Sequence, residues 1–252
     1  MMLRHVRKLF IGLFTISAIA AAPSRSQADI TIQIQEVDSK GNPVGSAQTF
    51  ASSPGGTFLP ITGANPTASF LITSVSSTLL NSTSSNTAST FLSTTMNLGL
   101  QPGYISGDSL QISVQATSIA NPYPNGSASV INQPSANNTS LPGTISVSSS
   151  SDVNGVVTNN ALATATQTGN SGTSTTAIID SLPGTFSIYQ TILASVQPNG
   201  TISSSNPFGA GNQSTVTVNA AVPAPGGLLL GLVGLPLIGM RRILRGKSSV
   251  GK

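Results

Sequence analysis

The 252 residues contain no cysteine and no tryptophan, a single histidine, and only 6% charged side chains. Each scarcity closes a class of chemistry. Without cysteine there is no disulfide, no thiolate nucleophile and no cysteine-ligated metal. The one histidine, His5, sits in an N-terminal stretch with the features of a leader. Beyond it, Ser-His-Asp and Cys-His machinery and histidine-metal centres have no parts to be built from. A typical soluble domain carries about 25% charged residues. The hydrophobic share is 38%, and charge is too scarce for the high-net-charge signature of disorder. The length suits one domain with processing segments at its ends.

The formal net charge of +4 and pI near 9.9 suggest an anionic partner. The distribution removes that suggestion. Arg4, Arg7, Lys8 and Arg25 lie at the N-terminus, and Arg241, Arg242, Arg245, Lys247 and Lys252 at the C-terminus. Between Asp29 and Val222 the one cation is Lys40, against six anions: Asp29, Glu36, Asp38, Asp108, Asp152 and Asp180. Nucleic-acid binding displaces counterions with several Lys or Arg, so no nucleic-acid partner is expected.

The N-terminus reads MMLRHVRKLFIGLFTISAIAAAPSRSQADI. Arg4, Arg7 and Lys8 form a basic n-region, and Leu9 to Ala22 an apolar stretch of signal-peptide length. Ser26, Gln27 and Ala28 then place small residues where signal peptidase reads. Residues 1–28 are therefore expected to be a secretory signal peptide, cut between Ala28 and Asp29. An uncleaved anchor helix is the alternative, disfavoured by the short apolar run.

The C-terminus has three parts. Val222, Pro223, Ala224 and Pro225 make a stiff, non-helical lead-in. Gly226 to Met240 is apolar throughout, and Arg241 and Arg242 open a basic tail, 241–252. The apolar run approaches spanning length once Ala220, Ala221 and the aliphatic part of the lead-in are counted. Positive charge stays cytoplasmic, so both ends face inward and residues 29–221 lie outside the inner membrane.

This order of Val-Pro-x-Pro, apolar helix, Arg-Arg and chain end resembles the PEP-CTERM sorting signal of secreted proteins from Gram-negative, biofilm-forming bacteria. The resemblance covers only residues 222–252. Val222, Pro223 and Pro225 match the motif, 226–240 its transmembrane helix, and Arg241 and Arg242 its basic stop. Ala224 stands where the family usually has Glu, and the tail after Arg242 is longer than usual. The resemblance implies an exosortase-like membrane transpeptidase as partner, transient residence in the inner membrane, and glycosylated proteins of the exopolysaccharide matrix. A plain C-terminal membrane anchor is the alternative.

Residues 29–221 are rich in Ser, Thr, Asn and Gly. Alternation of period two marks half-buried strands at 30–37, 109–118, 144–149, 185–196 and 214–220, and more weakly at 68–76, 89–98 and 127–131. Turn signals fall at Lys40–Pro43, Pro124–Gly126, Asp152–Gly155 and Gln197–Gly200. No sustained helical period occurs there. The expected fold is all-β, an antiparallel β-sandwich of jelly-roll or Ig-like type. With almost no Lys, its edge strands are expected to be poorly defended. SLPGTISV (140–147) and SLPGTFSI (181–188) repeat one pattern. Each is similar to the Leu-Pro-x-Thr-Gly of Gram-positive sortase substrates but lacks the final Gly and lies mid-chain. A Pro-Gly turn delivering a strand, used twice, is the expected meaning.

Little chemistry remains. Glu36 and Asp38 would share a face if the strand continued through both. With the following turn they offer oxygens to a hard cation, but Lys40 occupies a position where a ligand would be needed. Solvated strand-end charges, with no metal and no cofactor, are the expectation, and no catalytic residue is expected. Tyr123, between prolines in NPYPNG, is the candidate glycan contact, against the plainer reading of a packed loop aromatic. Asn-x-Ser/Thr occurs at Asn81, Asn125, Asn137, Asn138, Asn199 and Asn212, as chance allows in such a composition. The expectation is a secreted, non-enzymatic surface or matrix protein. The alternative is a glycan-binding adhesion module on a membrane tether.

Overall fold

The structure, a computed structural model, describes residues 28–102, 104, 106–199 and 207–220. The expected leader up to residue 27 and the tripartite tail 222–252 lie outside the described residues. Fourteen strands follow one another among those described: β1 (Asp29–Val37), β2 (Pro43–Ala51), β3 (Phe58–Thr62), β4 (Phe70–Thr83), β5 (Thr87–Leu100), β6 (Ser109–Ala120), β7 (Gly126–Asn138), β8 (Gly143–Val153), β9 (Val156–Val157), β10 (Ala161–Thr166), β11 (Gly169–Gly172), β12 (Thr175–Leu182), β13 (Thr185–Pro198) and β14 (Phe208–Asn219). No helix among them is long and apolar enough to cross a membrane.

The strands form two antiparallel sheets. One runs β11-β10-β8-β13-β6-β1-β2, with β9 paired to β8; the other runs β12-β7-β14-β5-β4-β3. From β5 to β8, and again from β12 to β14, the chain changes sheet at each connection. Thus β13 pairs with both β6 and β8, and β14 with both β5 and β7. Alternation decides what faces inward. Ile30, Ile32 and Ile34 of β1 are buried, as are Ile112 and Val114 of β6 and Ile188 and Ile192 of β13. They meet Phe70, Leu79, Leu92, Leu98 and Val216 of the other sheet in one core. Each such side chain contributes about 1.5–3 kcal/mol when fully buried. The all-β, two-sheet antiparallel expectation holds, and every strand expected from alternation coincides with an observed strand, with 68–76 starting two residues before β4 and 214–220 ending one residue beyond β14.

The core is not wholly apolar, which reconciles a large sandwich with a modest hydrophobic share. A seam of buried polar side chains runs between the sheets. Ser77 Oγ hydrogen-bonds Thr94 Oγ1 at 2.8 Å, and Thr94 Oγ1 donates to Gln190 Oε1 at 2.8 Å. Gln190 Nε2 donates to Leu92 O at 2.6 Å and to Ser214 Oγ at 2.8 Å. Ser214 contacts Ser151 through their hydroxyls, and Ser151 Oγ donates to Asn132 Oδ1 at 2.8 Å. Asn132 Nδ2 donates to Ser149 O at 2.8 Å, and Ser149 Oγ donates to Asn212 Oδ1 at 2.8 Å. Most of these bonds join one sheet to the other. A buried amide or hydroxyl is tolerated only when paired, and a fully paired network fixes how its elements sit against one another.

The turns follow their chemistry. Asn154 (φ 51°) and Gly155 (φ 86°) both take positive φ in the two-residue turn from β8 to β9, as a type I′ hairpin requires. The repeated Ser-Leu-Pro-Gly segments deliver β8 and β13, as expected. Leu141 and Leu182 are both fully buried. Each segment is held by an asparagine from the end of a preceding strand or loop. Asn138 Nδ2 donates to Leu141 O and Gly143 O, each at 3.0 Å. Asn121 Nδ2 donates to Leu182 O at 3.1 Å and to Pro183 O at 2.9 Å. Two of the four sheet edges carry proline: Pro43 begins β2 and Pro60 lies within β3.

Candidate functional site

On the outward side of each sheet, alternation leaves Ser, Thr, Gln and Asn. Register aligns them into rungs. Across the first sheet one rung runs Thr49, Gln33, Ser113, Thr191, Ser150. The next contains Thr31, Gln115, Tyr189 and Asp152. Across the second sheet a rung runs Thr78, Ser93, Gln213, Gln133. Neighbouring strands lie about 4.8 Å apart, so each rung is a row of hydroxyl or amide groups at that spacing. Fixed charges sit at turns or near strand ends: Asp29, Asp38, Lys40, Asp152 and Asp180.

A shallow groove of about 360 Å³ crosses the first sheet, lined by Thr31, Gln33, Thr49, Ser113, Gln115, Tyr189 and Thr191. Tyr189 is its one aromatic side chain, 43% exposed. Gln115 Nε2 donates to the Tyr189 hydroxyl at 2.8 Å, fixing the ring's outer end. An aromatic face flanked by hydroxyls and amides is suited to sugars, whose C–H faces stack on rings while their hydroxyls need hydrogen-bond partners. Sequence reasoning passed over Tyr189. Its signal was parity: Phe186, Ile188, Gln190 and Ile192 point inward on β13, which turns Tyr189 outward.

Tyr123, the aromatic singled out in the sequence, is partly buried and packs against the core. Its hydroxyl donates to Ser84 O, and its backbone N–H donates to Asn121 Oδ1 at 2.9 Å. Its polar end is engaged within its own protein. Among the Asn-x-Ser/Thr asparagines, Asn138 and Asn212 are buried, at 5% and 2% exposure, whereas Asn81, Asn125, Asn137 and Asn199 are exposed.

The two acidic residues considered together do not share a face. The strand ends at Val37, and Asp38 turns into a tight loop. Its Oδ1 accepts from the N–H groups of Lys40 and Asn42, each at 2.8 Å, and its Oδ2 accepts from Asn42 Nδ2 at 2.9 Å. These bonds, Asn42's side chain foremost, hold the Asp38 carboxyl below its usual range. Glu36 departs from the expectation of a solvated strand-end charge: it is 1% exposed. It follows Ile30, Ile32 and Ile34 in the inward series of β1. Nearby, burial foremost pushes the Tyr104 phenol up, with Asp108 and Glu36 adding to it.

Of the expected leader junction, Ala28 is buried at 5% exposure and Asp29 opens β1, where its carboxylate accepts from Gly55 N at 2.8 Å. Val222, Pro223, Ala224, Pro225, Arg241 and Arg242 lie outside the described residues. Among those described, no group of three or more His, Cys, Asp or Glu side chains gathers into a metal site. No protein-family model matches the chain, and no curated protein matches it in sequence.

Proposed function

We propose that this chain is an exported, non-enzymatic component of an extracellular polysaccharide matrix. The observation that carries the reading is the nearly charge-free outer surface of both sheets, ruled into rows of hydroxyl and amide groups. Neutral polysaccharides present matching hydroxyls, and such a surface exchanges hydrogen bonds with them without displacing counterions. The signal-peptide pattern of residues 1–28 and the PEP-CTERM-like pattern of 222–252 support export through the inner membrane and handling by an exosortase-like enzyme. The strand order, with β14 between β5 and β7 and β13 between β6 and β8, supports a jelly-roll, an architecture shared by lectin and capsid domains. The absence of His and Cys from residues 29–221 supports a role without catalysis.

A second reading is a glycan-binding adhesion module, and the Tyr189 groove favours it. The two readings separate by experiment. The purified chain is applied to an array of neutral and acidic bacterial polysaccharides. Retention on neutral polysaccharides that survives Tyr189→Ala supports the matrix reading, with contact spread over the faces. Retention lost with Tyr189→Ala supports the adhesion module. No retention on any polysaccharide contradicts both.

A further inference from the structure

Glu36 and Asp108 are the two carboxylates in residues 29–221 that face inward. They are 1% and 8% exposed. Both converge on Ser69, the residue that precedes β4. Ser69 N–H donates to Glu36 Oε2 at 3.1 Å, and Ser69 Oγ donates to Asp108 Oδ2 at 3.1 Å. The other oxygen of Glu36, Oε1, is buried with no hydrogen-bond partner. An ionised carboxylate removed from water is among the most costly groups to leave uncompensated. Among the described residues no side-chain cation compensates it. Lys40 is the one Lys or Arg between Asp29 and Val222, and it is exposed on the β1–β2 turn. The neighbouring Tyr104 hydroxyl directs its proton to Val196 O and Asp108 O. It is therefore not a donor to Glu36.

We propose that Glu36 and Asp108 bind a hard divalent cation, calcium, at this end of the sandwich. Carboxylate oxygens are its preferred ligands, and calcium accepts backbone carbonyls and waters to complete an irregular set of six to eight. Magnesium demands near-ideal octahedral geometry and resists dehydration, which a buried site with two carboxylates does not suit. The cation supplies the positive charge that no described Lys or Arg brings to this pocket. It joins β1 to the loop before β6, and the bonds of Ser69 to both carboxylates tie that pair to the loop before β4. The site differs from the one the sequence suggested, because Asp38 spends its oxygens inside its own turn. It stands independently of the proposed matrix role.

The test uses the full chain, purified in detergent and stripped of divalent ions with EDTA. Thermal unfolding is followed while calcium chloride is added, with magnesium chloride in parallel. The unfolding temperature is expected to rise and saturate with calcium at about 0.1–1 mM, the range of extracellular modules. Glu36→Gln and Asp108→Asn should each remove the response, and Asp38→Asn should keep it. Terbium luminescence gives a second readout that needs no folded carboxylate variant. Emission sensitised by tyrosine should appear on the unaltered chain, fall when calcium is added, and be weakened by Tyr104→Phe. A calcium response that persists in Glu36→Gln, or that is lost in Asp38→Asn, overturns the proposal. So does the absence of both a calcium shift and sensitised terbium emission.

Discussion

Gln190 of β13 and Ser214 of β14 lie in different sheets, yet Gln190 Nε2 donates to Ser214 Oγ at 2.8 Å in the middle of the core. The same amide nitrogen reaches Leu92 O, and its oxygen accepts from Thr94 Oγ1. One side chain therefore ties three positions on the opposite sheet. Replacing it with alanine removes three buried hydrogen bonds at once, although Thr94 keeps its bond to Ser77 and Ser214 its bond to Ser151. Each lost bond costs about 0.5–1.5 kcal/mol, and the cavity left by the side chain adds to that. Gln190→Ala is expected to destabilise the fold by about 3 kcal/mol or more, read as a lower denaturation midpoint in urea with an unchanged slope. A loss below about 1 kcal/mol would mean that the seam does not hold the sheets together.

The two Ser-Leu-Pro-Gly segments look equivalent in sequence but differ at their glycines. Gly143 has φ 138°, and a Cβ there would meet Gln197 O at 2.3 Å. Gly184 lacks positive φ, and its Cβ would meet only Pro124 Cβ at 3.8 Å. Gly143→Ala is expected to cost about 3 kcal/mol or more by forcing β8 from β13, while Gly184→Ala stays within about 0.5 kcal/mol. Thermal unfolding of the two variants side by side checks this.

The two tyrosines of the sugar question are expected to behave in opposite ways if the groove is a binding site. Tyr189→Ala removes the groove's aromatic face and should weaken polysaccharide retention at least tenfold, about 1.4 kcal/mol, with little change in stability. Tyr123→Phe removes only a hydroxyl bound to Ser84 O. It should leave retention unchanged and cost about 0.5–1 kcal/mol of stability. Retention and melting measured on both variants separate the roles.

Asp38 makes a prediction about acid. Its carboxyl is held below its ordinary value of 3.8, first by the Asn42 side chain and then by the Asn42 backbone. For a depressed carboxyl, the contribution to the turn is complete above the ordinary value and disappears as pH falls through the lower folded value. The β1–β2 turn should therefore loosen only in strong acid. Asn42→Ala should move the Asp38 titration upward toward its ordinary value, as followed by NMR of the side-chain carboxyl. An unchanged titration would mean that the Asn42 contact is not formed in solution.

Much of this fold is written in parity. In β13 the inward series Phe186, Ile188, Gln190, Ile192, Ala194 alternates with outward side chains, so the strand and even the burial of Gln190 are readable. What Gln190 bonds to is not, because Thr94 and Ser214 lie far along the chain and arrive by topology. The same holds for Glu36, whose place after Ile30, Ile32 and Ile34 marks it as inward, while Asp108 and Ser69 come from loops of unrelated sequence. Edge strands left little trace. PVGSAQTFA of β2 is exposed along most of its length, so no alternation selects an inner face. In β12 Ile178 and Ile179 are adjacent, one exposed and one buried, and a register shift follows Ile179. Ser149 and Ser151 lie in a run of serines whose composition gives no sign of burial, yet both are buried in the seam.

The central claim, an exported chain stripped of both ends for service in a polysaccharide matrix, is tested most directly by intact-mass spectrometry of the protein from its native cells. The account predicts a chain that begins at Asp29 and ends near Val222–Pro225, with added sugar mass. A chain that runs from Met1 to Lys252 without sugar would contradict it.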